Sequence, residues 1–241
     1  MATLRRVAFE GLVNFRDLGG LPVSGGGRVR RGLLYRSDSV AYASDEDAAR
    51  LVRELGISAV VDLRGYNEVE MLGRGPLERA AVRYLPGPIG DVTADGDLVE
   101  YYLAILDQCG RMMIELFREL TEPGVLPAVV HCEAGCDRTG VLCAVVLSLI
   151  GVPDNEICAD YALTAAAMPA INARVRATIA RNGWDVPPGY VDDSWTPTAE
   201  TMAATIGGMR ERWGGVYDWA RWHGLRRVEV DGLRRLLVEW F

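Results

Sequence analysis

Short apolar runs that end on polar residues alternate with longer amphipathic stretches over the first two thirds of the chain. Ile57 to Leu63 has a buried-strand pattern, with Asp62 and Arg64 at its carboxyl end. Pro127 to His131 repeats that pattern. Leu33 to Ser37 reads as a strand and exit turn, and Val82 to Leu85 as a further strand. Helical segments lie between them. Ser44 caps one that runs to about Leu55, with Asp45, Glu46 and Asp47 in its first turn and Gly56 behind it. Another fills much of Leu98 to Leu120 until Pro123 and Gly124 break it. After His131 a glycine-bearing loop leads into a helix rich in Val, Leu and Ala that ends near Ile150. Beyond that point the pattern is nearly all helical, over 153–166, 168–182, 198–223 and 231–240, with a loop rich in Pro, Gly and Asp at 183–197. Residues 14–36 are turns and short strands around a hairpin turn at Gly25 to Gly27.

Interleaved strands and helices followed by helices alone predict an α/β fold, a central sheet flanked by helices with a mostly helical C-terminal part. The 241 residues suit one domain, with a core over about 1–160 and a helical addition or lid over about 161–241. Ala165 to Met168, followed by Pro169, is a candidate hinge, and Trp184 and Trp195 could line an entrance or pack in the core.

Composition narrows the function. Hydrophobic residues at 49% and charged residues at 24% are those of an ordinary globular protein. A net charge of −7 disfavours nucleic acid and anionic membranes as partners. All 26 basic residues are Arg, which reads as a coding bias. Five cysteines in a chain this long do not form a disulfide framework, and two histidines are too few for a Cys/His zinc site, so neither metal nor cofactor is expected. His223 reads as a surface residue. The longest apolar run, Val141 to Val152, falls short of the ~20 residues that span a bilayer. The N-terminal residues do not resemble a signal peptide. The expectation is therefore a cytoplasmic protein without stable membrane association, with signal-independent secretion left open.

The chemistry concentrates in His131 to Gly140 (HCEAGCDRTG), between a predicted strand and a predicted helix. Five residues separate Cys132 from Arg138. Such a loop can curl so that the backbone amides of Glu133, Ala134, Gly135, Cys136, Asp137 and Arg138 surround one anion, helped by the positive end of the following helix. Gly135 and Gly140 supply backbone freedom. Arg138 offers a planar fork to two phosphate oxygens. The same surroundings favour a Cys132 thiolate, the form that attacks phosphorus. Arg138 and the amides then stabilise charge on the equatorial oxygens. Thr139 can donate to the Cys132 sulfur as it leaves.

His-Cys-x5-Arg-Thr resembles the signature of the protein tyrosine phosphatase superfamily. Asn14 to Gly20 (NFRDLGG), Leu34 to Ser37, Val61 to Arg64, His131 to Gly140, Ala159 to Tyr161 and Gly214 to Trp219 together resemble its bacterial tyrosine/serine phosphatase family. The resemblance spans nearly the whole chain. It implies a tyrosine-phosphatase-like fold, a phosphocysteine intermediate and a general acid of the Asp type. The candidate acids, in order, are Asp137 in the loop, Asp62 at a strand end and Asp91 in an upstream loop. It also implies that His131 tunes the thiolate. Arg16, Asp17, Arg36 and Arg64 either support the pocket or form solvated or fold-supporting ion pairs. One position departs from the pattern. Cys136 stands where the family often has a Lys associated with highly charged phosphoinositides, so lipid phosphatase activity is not implied. Cys136 could instead pair with Cys132 on oxidation or simply shape the pocket.

The expected partner is a phosphorylated protein, at phosphotyrosine or phosphoserine/threonine. The alternatives are a small phosphate ester such as a sugar, nucleoside or inositol phosphate, a phosphate-binding module without turnover, and sulfur transfer.

Overall fold

The computed structural model describes residues 5–185 and 191–241. In chain order its strands and helices are β1 (Arg16–Asp17), β2 (Pro22–Val23), β3 (Gly27–Val29), β4 (Leu34–Ser37), α1 (Asp45–Arg53), β5 (Ala59–Asp62), α2 (Tyr66–Leu72), β6 (Arg83–Pro86), α3 (Leu98–Gln108) and α4 (Gly110–Thr121). There follow β7 (Ala128–His131), α5 (Asp137–Ile150), α6 (Asp154–Ala162), α7 (Met168–Asn182), α8 (Ala199–Trp213), α9 (Val216–Trp222), α10 (Arg227–Leu237) and β8 (Val238–Trp240).

The central sheet runs β1-β4-β7-β5-β6, with β4, β7, β5 and β6 parallel and β1 antiparallel at one edge. The inner strands are buried on both faces, which explains their unbroken apolar composition. Successive residues still point to opposite sides. Tyr35, Val60 and Val129 pack with Leu51 of α1, whereas Leu34, Ala59, Val61, Ala128 and Val130 pack with α3, α4 and α5. Register places Ser37, His131 and Asp62 side by side at the carboxyl ends. That is where open α/β sheets collect ligands.

Most predicted elements are present. α1 starts on a capping box, with Asp47 N donating to Ser44 Oγ (3.1 Å) and Ser44 N to Asp47 Oδ2 (3.2 Å). The segment 98–120 is two helices rather than one, because Cys109 leaves the helical region at φ −107°, ψ 4°. His223 is half-buried, not a surface residue. Its ring lies 5.0 Å from that of Trp219 and rests against Gly110 at that break. Two elements escaped the sequence pattern: the short α2, and β8, which adds a third strand to the β2-β3 hairpin. Of the predicted 183–197 loop, residues 186–190 lie outside the described residues.

Met202, Ile206 and Met209 of α8, Trp219 of α9, and Leu233 and Leu237 of α10 belong to the main core. Only α7 departs, with Met168 and Ile171 in a separate small cluster with Ala167, packed against Val13, Ala134 and Trp195. Among the described residues no helix is long and apolar enough to cross a membrane.

Candidate active site

Cys132 follows the last residue of β7, and Asp137 is the first residue of α5. The loop between them is held by its carbonyls. Glu133 O accepts from Ser39 N (2.9 Å), and Ala134 O from Asn14 Nδ2 (3.0 Å). Gly135 O accepts from Asn14 Nδ2 (3.2 Å) and from Arg36 Nη2 (2.7 Å). In a trans peptide the next N–H points opposite to the C=O. Anchoring these carbonyls outward therefore turns the amides of Ala134, Gly135 and Cys136 toward the inside of the curl, the geometry of an anion nest. Gly135 has φ +66°, and a Cβ there would stand 2.2 Å from Ser37 O. Gly140 is needed for a different reason than backbone freedom: it lies within α5, and a Cβ would meet the Tyr161 ring at 2.8 Å.

The groups that hold the loop rest on one carboxylate. Asp160, 1% exposed, pairs with Arg5 (2.8 Å), Arg16 (3.2 Å) and Arg36 (3.0 Å). Arg16 in turn donates to Asn14 Oδ1 (2.6 Å), orienting the amide that bonds the loop. Burial alone would raise the Asp160 carboxyl, but Arg16, Arg36 and Arg5 hold it well below the usual range. Arg16, desolvated and beside Arg36, is pushed down to about 10 and stays charged at neutral pH. Asp38 completes the support, accepting from Asn14 N (2.9 Å) and pairing with Arg174 (2.7 Å).

The expected site residues separate into groups. Cys132 is 2% exposed at the base of the loop. Arg138 is gripped by Glu68, which takes Nη2 at 2.8 Å and also accepts from Nη1; Nη1 further donates to Ile89 O (3.1 Å). Asp137 accepts from Tyr102 Oη and lines a cavity of about 790 Å³. Glu133 and Ala134 reach the same cavity, and α2, α7, Trp184 and Trp195 contribute to its walls. Burial raises the Glu133 carboxyl, while Tyr42 Oη donates to it at 2.6 Å.

Asp62 does not face that cavity. Arg64 clamps both its oxygens (Nη2–Oδ2 2.7 Å, Nε–Oδ1 3.0 Å) at 1% exposure. Burial by itself would raise Asp62; nearby His131 and the Arg64 guanidinium outweigh it and bring it down. Burial pushes the His131 imidazole down, and its Nδ1 lies 3.0 Å from Cys132 O rather than against the sulfur. The Thr139 hydroxyl is buried and has no hydrogen-bond partner, the Cys132 sulfur included. The Cys136 side chain lies beneath the loop, fully buried, with Sγ 4.0 Å from Tyr161 Oη. Asp91 is exposed. Asp17 accepts from Gly19 N (2.7 Å) and Gly32 N (3.0 Å), fixing turns outside the loop. The sequence reading missed Glu68, Tyr102 and the anchoring by Asp160. The one available signal was the family-like motif at Ala159 to Tyr161.

The tyrosine phosphatase family profile matches residues 7–239. A Cupriavidus necator protein named as a tyrosine-protein phosphatase is 30% identical, over 93% of this chain and 85% of its own. The triple specificity protein phosphatase PtpB of Mycobacterium tuberculosis is 28% identical, over 95% of this chain and 97% of its own. The core catalytic domain of a PP-IP phosphatase from S. cerevisiae fits at a TM-score of 0.42 with 15% identity, over 75% of this chain and 97% of that one.

Two outcomes follow from this geometry. Asp160→Asn leaves the buried arginines without their counter-charge and should lower the unfolding free energy by about 3–5 kcal/mol. Because the folded-state Asp160 sits below its ordinary 3.8, its contribution is complete above about pH 4 and is lost as pH falls through the folded value. Urea unfolding across acid pH should therefore show a flatter acid limb in the variant; parallel curves would reject Asp160 as the source. Gly135→Ala should abolish vanadate binding by isothermal calorimetry, and wild-type affinity in a folded variant would show that the loop tolerates a side chain there.

Proposed function

The chain belongs to the tyrosine phosphatase family, and from that footing we propose that it hydrolyses phosphate monoesters of proteins through a phosphocysteine on Cys132. The observation that carries this reading is the curl from Cys132 to Arg138, its carbonyls tied outward and its amides turned in above a buried cysteine. A phosphoryl group fits there with its equatorial oxygens on the amides and on Arg138. The Cys132 thiolate forms the S–P bond as the P–O bond to the leaving group breaks, and a proton passes to that oxygen. Water then attacks phosphorus, gives up a proton, and releases inorganic phosphate and the thiolate.

Asp137 is the proposed general acid and, in the second step, the base. It lines the cavity where the leaving group would sit. Asp62, sealed against Arg64, is assigned to holding the strand end instead. Thr139, whose hydroxyl has no other partner, is free to donate to the departing sulfur. Glu68 fixes the plane of the Arg138 fork.

The cavity argues for the kind of leaving group. Its walls include Met71, Leu72, Met168, Ile171 and Val175, and its charged lining consists of carboxylates, Glu68, Glu133, Asp137, Asp185 and Asp192. Among the described residues that line it there is no Arg, so a second phosphate placed away from Arg138 would meet those carboxylates. An aromatic monophosphate buries apolar surface there instead. Phosphotyrosine in proteins is therefore the preferred substrate, ahead of phosphoserine/threonine and of inositol phosphates. The PtpB name, a protein phosphatase of triple specificity, supports a protein substrate. We also assign α7, whose Met168, Ile171 and Val175 line the cavity, as the lid, and the cytoplasm as the compartment, a reducing medium that suits five free cysteines.

Turnover of para-nitrophenyl phosphate should resist a chelator and disappear in Cys132→Ser; activity in that variant would mean a different nucleophile. Phosphotyrosyl peptides should exceed inositol polyphosphates in kcat/KM by at least about tenfold, and the reverse order would move the assignment to a small metabolite.

A further inference from the structure

Asp137 is tied on one side only. Its Oδ1 accepts from the hydroxyl of Tyr102 on α3, whereas its Oδ2 makes no hydrogen bond among the described residues. Tyr102 is fully buried, and its Oη lies 2.7 Å from the Oη of Tyr161 on α6. The two rings meet edge to face, with centroids 6.2 Å apart and planes at 79°, which fixes both hydroxyls. Behind Tyr161 Oη stands the Cys136 thiol at 4.0 Å.

A phenol has one proton to give. If Tyr102 spends it on Asp137, the proton in the Tyr102–Tyr161 contact must come from Tyr161, and among the described residues the donor that faces Tyr161 Oη is the Cys136 thiol at 4.0 Å. The chain of donors then runs one way, from Cys136 through Tyr161 and Tyr102 to Asp137 Oδ1. Each donor keeps its proton at working pH. Burial and the charge of Asp137 push the Tyr102 hydroxyl up, burial and Cys136 do the same for Tyr161, and burial keeps Cys136 a thiol.

We propose that Tyr102, ordered by Tyr161, is the positioning residue of the general acid: it commits Asp137 Oδ1 to accepting and leaves the transferable proton on Oδ2, toward the cavity. This rests on the assignment of Asp137 as the acid. In the first step the Oδ2 proton moves to the leaving oxygen as its bond to phosphorus breaks, and the carboxylate so formed keeps its bond from Tyr102. A hydrogen bond to a carboxylate is stronger than one to the neutral acid. Tyr102 therefore stabilises the transition state more than the bound substrate, which lowers the barrier rather than KM. Cys136 acquires a place in this scheme as the uncharged end of the chain.

The test compares kcat for phenyl phosphate, a basic leaving group that needs the proton, with kcat for para-nitrophenyl phosphate, which needs it less. Wild type, Asp137→Asn, Tyr102→Phe and Tyr161→Phe are measured at one pH. Asp137→Asn should widen the gap between the two substrates, and Tyr102→Phe should widen it by about tenfold, a part of what general acids supply. The loss in Tyr102→Phe should fall on kcat and spare KM, and Tyr161→Phe should give a smaller change of the same kind. An equal loss on both substrates, or a loss in KM alone, would overturn the proposal by showing that Tyr102 merely packs the site. If Asp137→Asn itself fails to widen the gap, the acid has been misassigned, and the proposal falls with that assignment. Vanadate affinity near that of wild type in Tyr102→Phe would show that the loop is still folded.

Discussion

A single buried carboxylate balancing several guanidinium groups decides the shape of this site. Asp160 gathers Arg5, Arg16 and Arg36 at one point under the loop. Arg36 reaches from there to Gly135 O, and Arg16 steadies the Asn14 amide that bonds Ala134 O and Gly135 O. A buried ion cluster is seldom a net gain over a well-packed apolar core. Apolar side chains, however, could not take hydrogen bonds from loop carbonyls, and unsatisfied carbonyls would be free to turn inward. The cluster therefore acts through direction: it fixes which way each peptide plane faces, and only one orientation presents amides to an anion. The excess of positive charge left beneath the loop favours the same anion.

The opposite side of the loop is secured differently. Glu68 joins Arg138 to α2, and the same carboxylate accepts from Gly65 N (2.7 Å) at the start of that helix. Arg64 ties Asp62 to Gly73 O at the other end of α2 (2.9 Å). α2 fully buries none of its side chains, Val69 and Leu72 being half-buried, so these polar links help to place it. Its Met71 and Leu72 then face α7 across the cavity. The phosphate-binding fork and the wall that meets the leaving group are thus mechanically one unit, whereas the loop floor belongs to the rigid core.

The strands and the loop were legible because each is local: an apolar run of four or five residues, or a Cys and an Arg five residues apart. α2 was not legible because seven residues are too few for a helical period to stand out. β8 follows α10 without a turn, and its hairpin partner β3 lies some 210 residues earlier. The Glu68–Arg138 and Tyr102–Asp137 pairs join residues 70 and 35 positions apart, and no local pattern encodes them. Asp62 and Asp137 looked alike as sequence, each beside an Arg near a strand or helix end. Folding separates them, one sealed in an ion pair and the other lining a cavity. Motifs near Asn14, Arg36 and Asp160 carried a family resemblance before their purpose was visible; together they are the loop's outer scaffold.

The lysine-free composition also reads differently in three dimensions. At exposed pairs such as Arg74 with Glu78 or Arg210 with Asp154, a lysine would serve as well, and coding bias explains the arginine. At four positions around the loop it would not. Arg36 bonds Asp160 with one nitrogen and Gly135 O with another. Arg64 spans Asp62 and Gly73 O, Arg16 spans Asp160 and Asn14, and Arg138 engages both Glu68 oxygens. Each task needs two donors at a fixed separation in one plane, which a guanidinium has and an ammonium lacks. The bias supplies arginine everywhere; around the loop, as also at Arg118 and Arg176, its shape is used as well as its charge.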